Sequence, residues 1–139
     1  PLFFFDDACD GCECQTCLIL DGPIGLTFFT QTQDLYETEE SSGQQFPTDT
    51  GPIDLLAISK DKQELLVVEL KRGRASDAVV GQIQRYMGYV QGEIAEDHQR
   101  VRGVIIALDD DKRIRRALQI AQGIDFYRYE VKFNLIPSS

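Results

Sequence analysis

Two apolar runs separated by four polar residues constrain the fold of this chain more than any other feature. Ile53–Ser59 (IDLLAIS) and Glu64–Lys71 (ELLVVELK) are rich in Leu, Ile and Val, and Lys60-Asp61-Lys62-Gln63 between them reads as a polar turn. A four-residue loop sets Ser59 across from Glu64, and the same register sets Asp54 across from Glu69. Directly opposed residues share a sheet face, with Cβ atoms ~4.5–5.5 Å apart. Positions i and i+2 of a strand also share a face, so Lys71 joins Glu69 while Leu70 points the other way. Two carboxylates at that spacing repel each other unless a cation lies between them. Hard oxygen ligands of this kind suit Mg²⁺ or Mn²⁺. The plainer alternative is a salt bridge between Glu69 and Lys71 at a sheet edge. The Asp in register, the apolar strand and the basic loop behind it favour the cation site.

The rest of the chain supplies a scaffold for such a pair. Arg72-Gly73-Arg74-Ala75 reads as a loop, and Ser76 is the candidate N-cap of a helix reaching about Ile94. Val79, Ile83, Tyr86 or Met87, Val90 and Ile94 recur on it at helical spacing. Gly81 and Gly88 lie on one side of it, and close approach to a sheet is their expected use. Arg102–Leu108 (RGVIIAL) reads as a buried strand. Asp109-Asp110-Asp111 is a turn with Asp111 as N-cap of a second helix through about Gln122, and Gly123 suits the position after its end. Ile124–Ile136 reads as one or two closing strands, and Gln31–Glu40 as a short helix broken by Ser41-Ser42-Gly43. The order from Ile53 onward predicts an α/β fold, a mixed sheet with helices packed on it.

Charge bears on the partner. The chain of 139 residues suits one domain, and its formal net charge of −9 argues on its own against a polyanion. The average hides a split: residues 1–69 hold 14 acids and 2 bases, whereas residues 70–139 hold 9 acids and 12 bases. No apolar run reaches the ~18–20 residues of a membrane span, and acidic residues follow the opening PLFFF, so no signal peptide, no membrane partner and a cytoplasmic location are expected. Cys9, Cys12, Cys14 and Cys17 crowd into C-x2-C-x-C-x2-C. A reduced segment without metal is the first reading; zinc, an iron–sulfur cluster or a local disulfide are the others. His98 stands alone among polar residues, and Ser76 has no apparent His–acid partner, so neither suggests catalysis. Arg113, Arg115 and Arg116 read as a solvated helix face, and Tyr127 and Tyr129 as sheet packing.

Asp54 followed by Glu69-Leu70-Lys71 matches the PD-(D/E)XK pattern, with Ile53 where the pattern has Pro. The segment PTDTGPIDLLAISKDKQELLVVELKRGRASDAVVGQIQRYMGYV resembles more specifically the C-terminal nuclease domain of NucS/EndoMS-type endonucleases, as do RGVIIAL and DFYRYEVKFNLIP. The resemblance divides the chain into a divergent Cys-containing segment, residues 1–42, and a nuclease-like domain, residues 43–139. It implies a restriction-endonuclease-like sheet flanked by helices (α/β/α) and a divalent-metal-dependent endonuclease acting on DNA, including single-stranded, branched or mismatched DNA. Asp54, Glu69 and Lys71 would be catalytic, and Asp54, Glu69 and the Leu70 carbonyl would hold Mg²⁺ or Mn²⁺. Gln82 and Tyr86, one helical turn apart, would approach the active site. Such domains usually carry a further acid from an N-terminal helix. Glu37 is the candidate here, with Glu39 and Glu40 as rivals. Arg72, Arg74 and Arg85 would track the DNA backbone, and a homodimer is a further option. The alternatives are a catalytically inactive DNA-binding or assembly module and a metal-binding regulatory protein built on the Cys cluster.

Overall fold

The structure, a computed structural model, describes residues 33–130 and 133–138. Its order is β1 (Gln33–Leu35), β2 (Gln44–Phe46), β3 (Ile53–Ser59), β4 (Glu64–Arg74), α1 (Ala78–Glu93), β5 (Arg100–Asp109), α2 (Lys112–Ile120) and β6 (Ile124–Arg128). Six strands form one mixed sheet in the order β1-β3-β4-β5-β6, with β2 also pairing β3. β1, β2 and β4 run antiparallel to β3, whereas β4, β5 and β6 are parallel. Helical crossovers β4–α1–β5 and β5–α2–β6 make the parallel pairs, as parallel neighbours require.

The register of β3 and β4 follows from their loop. Leu55 pairs Val68 and Ile58 pairs Leu65, the register that sets Asp54 opposite Glu69. Ser59 and Asp61 hold the turn. The Ser59 hydroxyl donates to Asp61 Oδ1 at 2.6 Å and accepts from the Glu64 N–H at 3.0 Å, while the Gln63 N–H donates to Asp61 Oδ1 at 3.1 Å. These bonds hold the Asp61 carboxyl below its ordinary range, the Ser59 hydroxyl contributing most.

The period-two pattern of β4 divides the core. Leu65 and Val67 join Ile83, Tyr86 and Val90 of α1 and Ile114 of α2 in one buried cluster. Leu66, Val68 and Leu70 join Leu55, Ala57, Val104 and Ile106 in a second, on the other face. Both described helices therefore pack on the face that carries Glu69 and Lys71. Asp111 caps α2 as expected, accepting from the Ile114 N–H at 2.9 Å, but the helix ends at Ile120 with Ala121 as its C-cap, ahead of the expected end near Gln122, so Gly123, with a positive φ of 72°, lies in the turn beyond the cap.

Several expectations are corrected. Gln33–Leu35 is a strand within the Gln31–Glu40 segment expected to be helical. Local periodicity is no guide there, because β3 offers a free edge. Arg72–Arg74 continue β4 rather than forming a loop, with a register shift between Lys71 and Arg74. The Tyr129 hydroxyl donates to the Arg72 carbonyl across that irregularity. Asp77, not Ser76, occupies the N-cap position of α1 and makes no side-chain capping bond, while the Ser76 carbonyl accepts from the Val79 N–H. Gly81 and Gly88 face open space, with nothing within 4 Å of a built Cβ. The close approach falls instead on Gly103 of β5, where a Cβ would lie 2.7 Å from Met87 Sδ and 3.0 Å from Ile83 Cδ1. Among the described residues the closing strand ends at Arg128. No described helix is long and apolar enough to cross a membrane.

Candidate active site

The site forms at one end of β3 and β4, on the helix-covered face. Asp54 reaches across to β4, where its Oδ2 accepts from the Leu70 N–H at 2.8 Å. This bond ties the carboxylate to the backbone between Glu69 and Lys71. Glu69 is 3% exposed, the only buried charged residue among those described. Lys71 Nζ lies 3.2 Å from Glu69 Oε1, so the salt bridge considered as the plainer reading is present. It satisfies one oxygen only. Among the described residues the buried Glu69 Oε2 has no hydrogen-bond partner. Leaving such an atom unpaired is costly. Burial first, then the Asp54 charge beside it, pushes the Glu69 carboxyl up to about 7 against the opposing pull of Lys71.

Helix α1 adds the next layer. Lys71 Nζ donates to Gln82 Oε1 at 3.2 Å, and Gln82 Nε2 donates to the Tyr86 hydroxyl at 3.3 Å. An ammonium has no acceptor, so Lys71 fixes which way the Gln82 amide points. Tyr86 is buried in the core and anchors this chain of bonds. Its hydroxyl packs near Gly51, whose φ of 125° belongs to the turn joining β2 to β3. Gln82 therefore holds Lys71 and Tyr86 holds Gln82, both from the one face of α1 that their i, i+4 spacing gives them.

Glu37 does not join the two acids. It lies exposed, with Glu39 and Glu40, in the irregular segment after β1, where the Thr38 N–H donates to the Ser41 carbonyl at 2.9 Å. The described residues hold no group of three or more His, Cys, Asp and Glu side chains able to bind a metal ion together. The donor set is thus two carboxylates, one buried with an orphaned oxygen and one reaching the surface. It fits a hard divalent cation of the Mg²⁺ type, which keeps several waters and is commonly held by one or two carboxylates. Cys9, Cys12, Cys14 and Cys17 lie outside the described residues.

Arg72 is exposed beyond the site. Arg74 lies 3.5 Å from Asp109, which Arg128 also approaches at 3.9 Å. Arg85 lines a pocket of about 360 Å³ with Asp49, Thr50, Gly88, Tyr89 and Glu93. A residue missed by sequence reasoning is Gln45. Its Nε2 donates to Asp54 Oδ1 at 3.4 Å from a backbone with φ of 48°.

Residues 30–134 match the model of the endonuclease NucS C-terminal domain. The chain belongs to this family. Endonuclease NucS of Aeropyrum pernix is 32% identical over 85 residues, a match covering 61% of this chain and 30% of that protein. The chain thus spans about a third of that curated relative. The crystal structure of a repair endonuclease from Pyrococcus abyssi matches with a TM-score of 0.55 at 18% identity, over 94% of this chain and 50% of that one. An EndoMS–dsDNA complex matches with a TM-score of 0.63 at 21% identity, over 96% and 51%. Both structures share the fold. The family match begins at residue 30, and in this chain β1, ahead of residue 43, pairs with β3.

Proposed function

We propose that this domain hydrolyses DNA phosphodiester bonds with the help of Mg²⁺ or Mn²⁺. The observation that carries the reading is Glu69 Oε2, buried beside Asp54 and without a hydrogen-bond partner among the described residues, while Lys71 pairs with the other oxygen at 3.2 Å. Asp54 and Glu69, with the Leu70 carbonyl, would hold the metal ion. When bound, the ion supplies an acidified water and screens the phosphate charge. Lys71 positions the attacking water and balances charge growing on the phosphate in the transition state. Gln82 and Tyr86 keep the ammonium aimed. Arg72, Arg74 and Arg85 contact the DNA backbone, which gives affinity that depends on salt and not on sequence. Relatives carrying the name endonuclease and a neighbour solved with double-stranded DNA support the substrate class. Single-stranded, branched and mismatched DNA are the forms to try.

The second reading is a DNA-binding or assembly module without catalysis. It is favoured by the lack of a third carboxylate among the described residues. Incubation of the purified protein with labelled single-stranded, splayed and mismatched DNA in Mn²⁺ separates the two. Cleavage that drops by ~10²–10³-fold in Asp54→Ala and in Lys71→Ala supports hydrolysis. Equal cleavage by wild type and both variants rejects the catalytic assignment, and binding without cleavage favours the second reading.

A further inference from the structure

Three strands, not two, deliver polar side chains to the site. Gln44 pairs Leu55 and Phe46 pairs Ile53, and Gln45, between them on β2, reaches Asp54 with its side chain. One step beyond the Leu55–Val68 pair, the β3–β4 register brings Asp54 to Glu69, whose carboxyl feels its charge. Gln45, Asp54 and Glu69 form one row across the sheet, and exposure rises along it: Glu69 is buried, Asp54 half-buried and Gln45 exposed. The row therefore opens to solvent at Gln45.

Gln45 does more than lie nearby. Its amide is 3.4 Å from Asp54 Oδ1, the oxygen that is not committed to the Leu70 N–H. Its φ of 48° lies in the left-handed region, which costs a non-glycine residue free energy. That conformation accompanies an aim at Asp54. We propose that Gln45 is the third side-chain donor of the divalent-cation site, its amide oxygen standing where the described residues supply no third carboxylate. A half-turn of the terminal amide exchanges its N–H₂ for its oxygen at the same position. Neighbouring oxygens around a cation with ~2.1 Å bonds lie ~3 Å apart, close to the observed separation. An amide oxygen is a hard, neutral ligand, so the site carries two negative charges from Asp54 and Glu69 and one positive charge from Lys71. Weak intrinsic cation affinity follows, completed by the phosphate of the substrate. This inference rests on the proposed metal-dependent hydrolysis.

Calorimetric titration of the purified protein with Mn²⁺ alone, without DNA, tests it. Gln45→Ala should weaken binding at least 5-fold. Gln45→Glu should tighten it at least 5-fold and enlarge the rise in melting temperature caused by Mn²⁺. Gln45→Asn suits the left-handed backbone but is one methylene shorter, so it should melt no lower than wild type and still bind more weakly. Asp54→Asn is the control and should abolish the binding. If Asp54→Asn abolishes binding while all three Gln45 variants titrate like wild type, the role of Gln45 is overturned and the two-carboxylate site survives. If wild type itself shows no Asp54-dependent binding, the metal-dependent reading fails and this inference fails with it.

Discussion

At the scale of single residues, Glu69 is the most informative. Its carboxyl takes up a proton more readily in the folded chain than in the unfolded one. Between the ordinary value of 4.5 and about 7 the folded state therefore holds the extra proton, and stability declines as pH rises through that window. The decline is on the order of 3 kcal/mol in the absence of metal and levels off above the window. Urea denaturation in EDTA at about pH 5 and pH 8 measures it, and Glu69→Gln should remove most of the slope and be the more stable protein at pH 8. A slope unchanged in Glu69→Gln contradicts the assignment. Asp54, Glu69 and Lys71 were legible in the sequence because one loop length and the alternation of a strand place all three. Gln45 was not. Its strand has three residues, and a left-handed residue in the middle interrupts the alternation by which strands are recognised. Nor was the exchange of Gly81 and Gly88 for Gly103, because helical spacing names a helix's faces without saying which one meets the sheet.

At the scale of elements, the hairpin and the two short strands decide whether the site assembles. Lys62 closes the β3–β4 loop with φ of 59°. Lys62→Gly relieves ~1–2 kcal/mol of left-handed strain against ~0.5–1 kcal/mol of lost chain entropy, so a rise of a few degrees in melting temperature is expected. Gly43 is the opposite case. A Cβ there would sit 2.4 Å from the Leu56 carbonyl and 2.7 Å from that of Tyr36, backbone atoms that cannot turn aside. The Leu56 N–H donates to the Gly43 carbonyl at 2.7 Å, and the Tyr36 N–H donates to the Leu56 carbonyl. Gly43→Ala should thus displace β1 or β2 from β3 and cost several kcal/mol. Gly88→Ala on the open face of α1 should instead stabilise by ~1 kcal/mol. Thermal melts of the three variants check all of these signs. The β3–β4 hairpin, α1, β5 and α2 were legible from composition and period. β1 was not, because pairing with a neighbour and not local propensity makes it a strand. The extension of β4 through Arg74 was hidden by Gly73, which marks a turn in most sequences.

For the whole molecule, the split of charge along the sequence acquires a spatial sense. The acidic half contributes Asp54 and Glu69, and the more basic half contributes Lys71 and the arginines that follow it. A parallel β4–α1–β5 unit carries Lys71, Gln82 and Tyr86, while an antiparallel β2–β3–β4 unit carries Gln45, Asp54 and Glu69. The two units share β4, and the site lies where they meet. Binding of DNA through backbone charge should fall steeply between about 50 and 200 mM salt, as titration of a fluorescent oligonucleotide would show. The central claim is that Asp54 and Glu69 share one divalent cation. Anomalous diffraction at the manganese edge from crystals grown in saturating Mn²⁺ tests it most directly. A peak bonded to one oxygen of each carboxylate at ~2.2 Å, with the Gln45 amide facing it, is the expected result. A peak that touches neither acid, or no peak at all in this row, contradicts it.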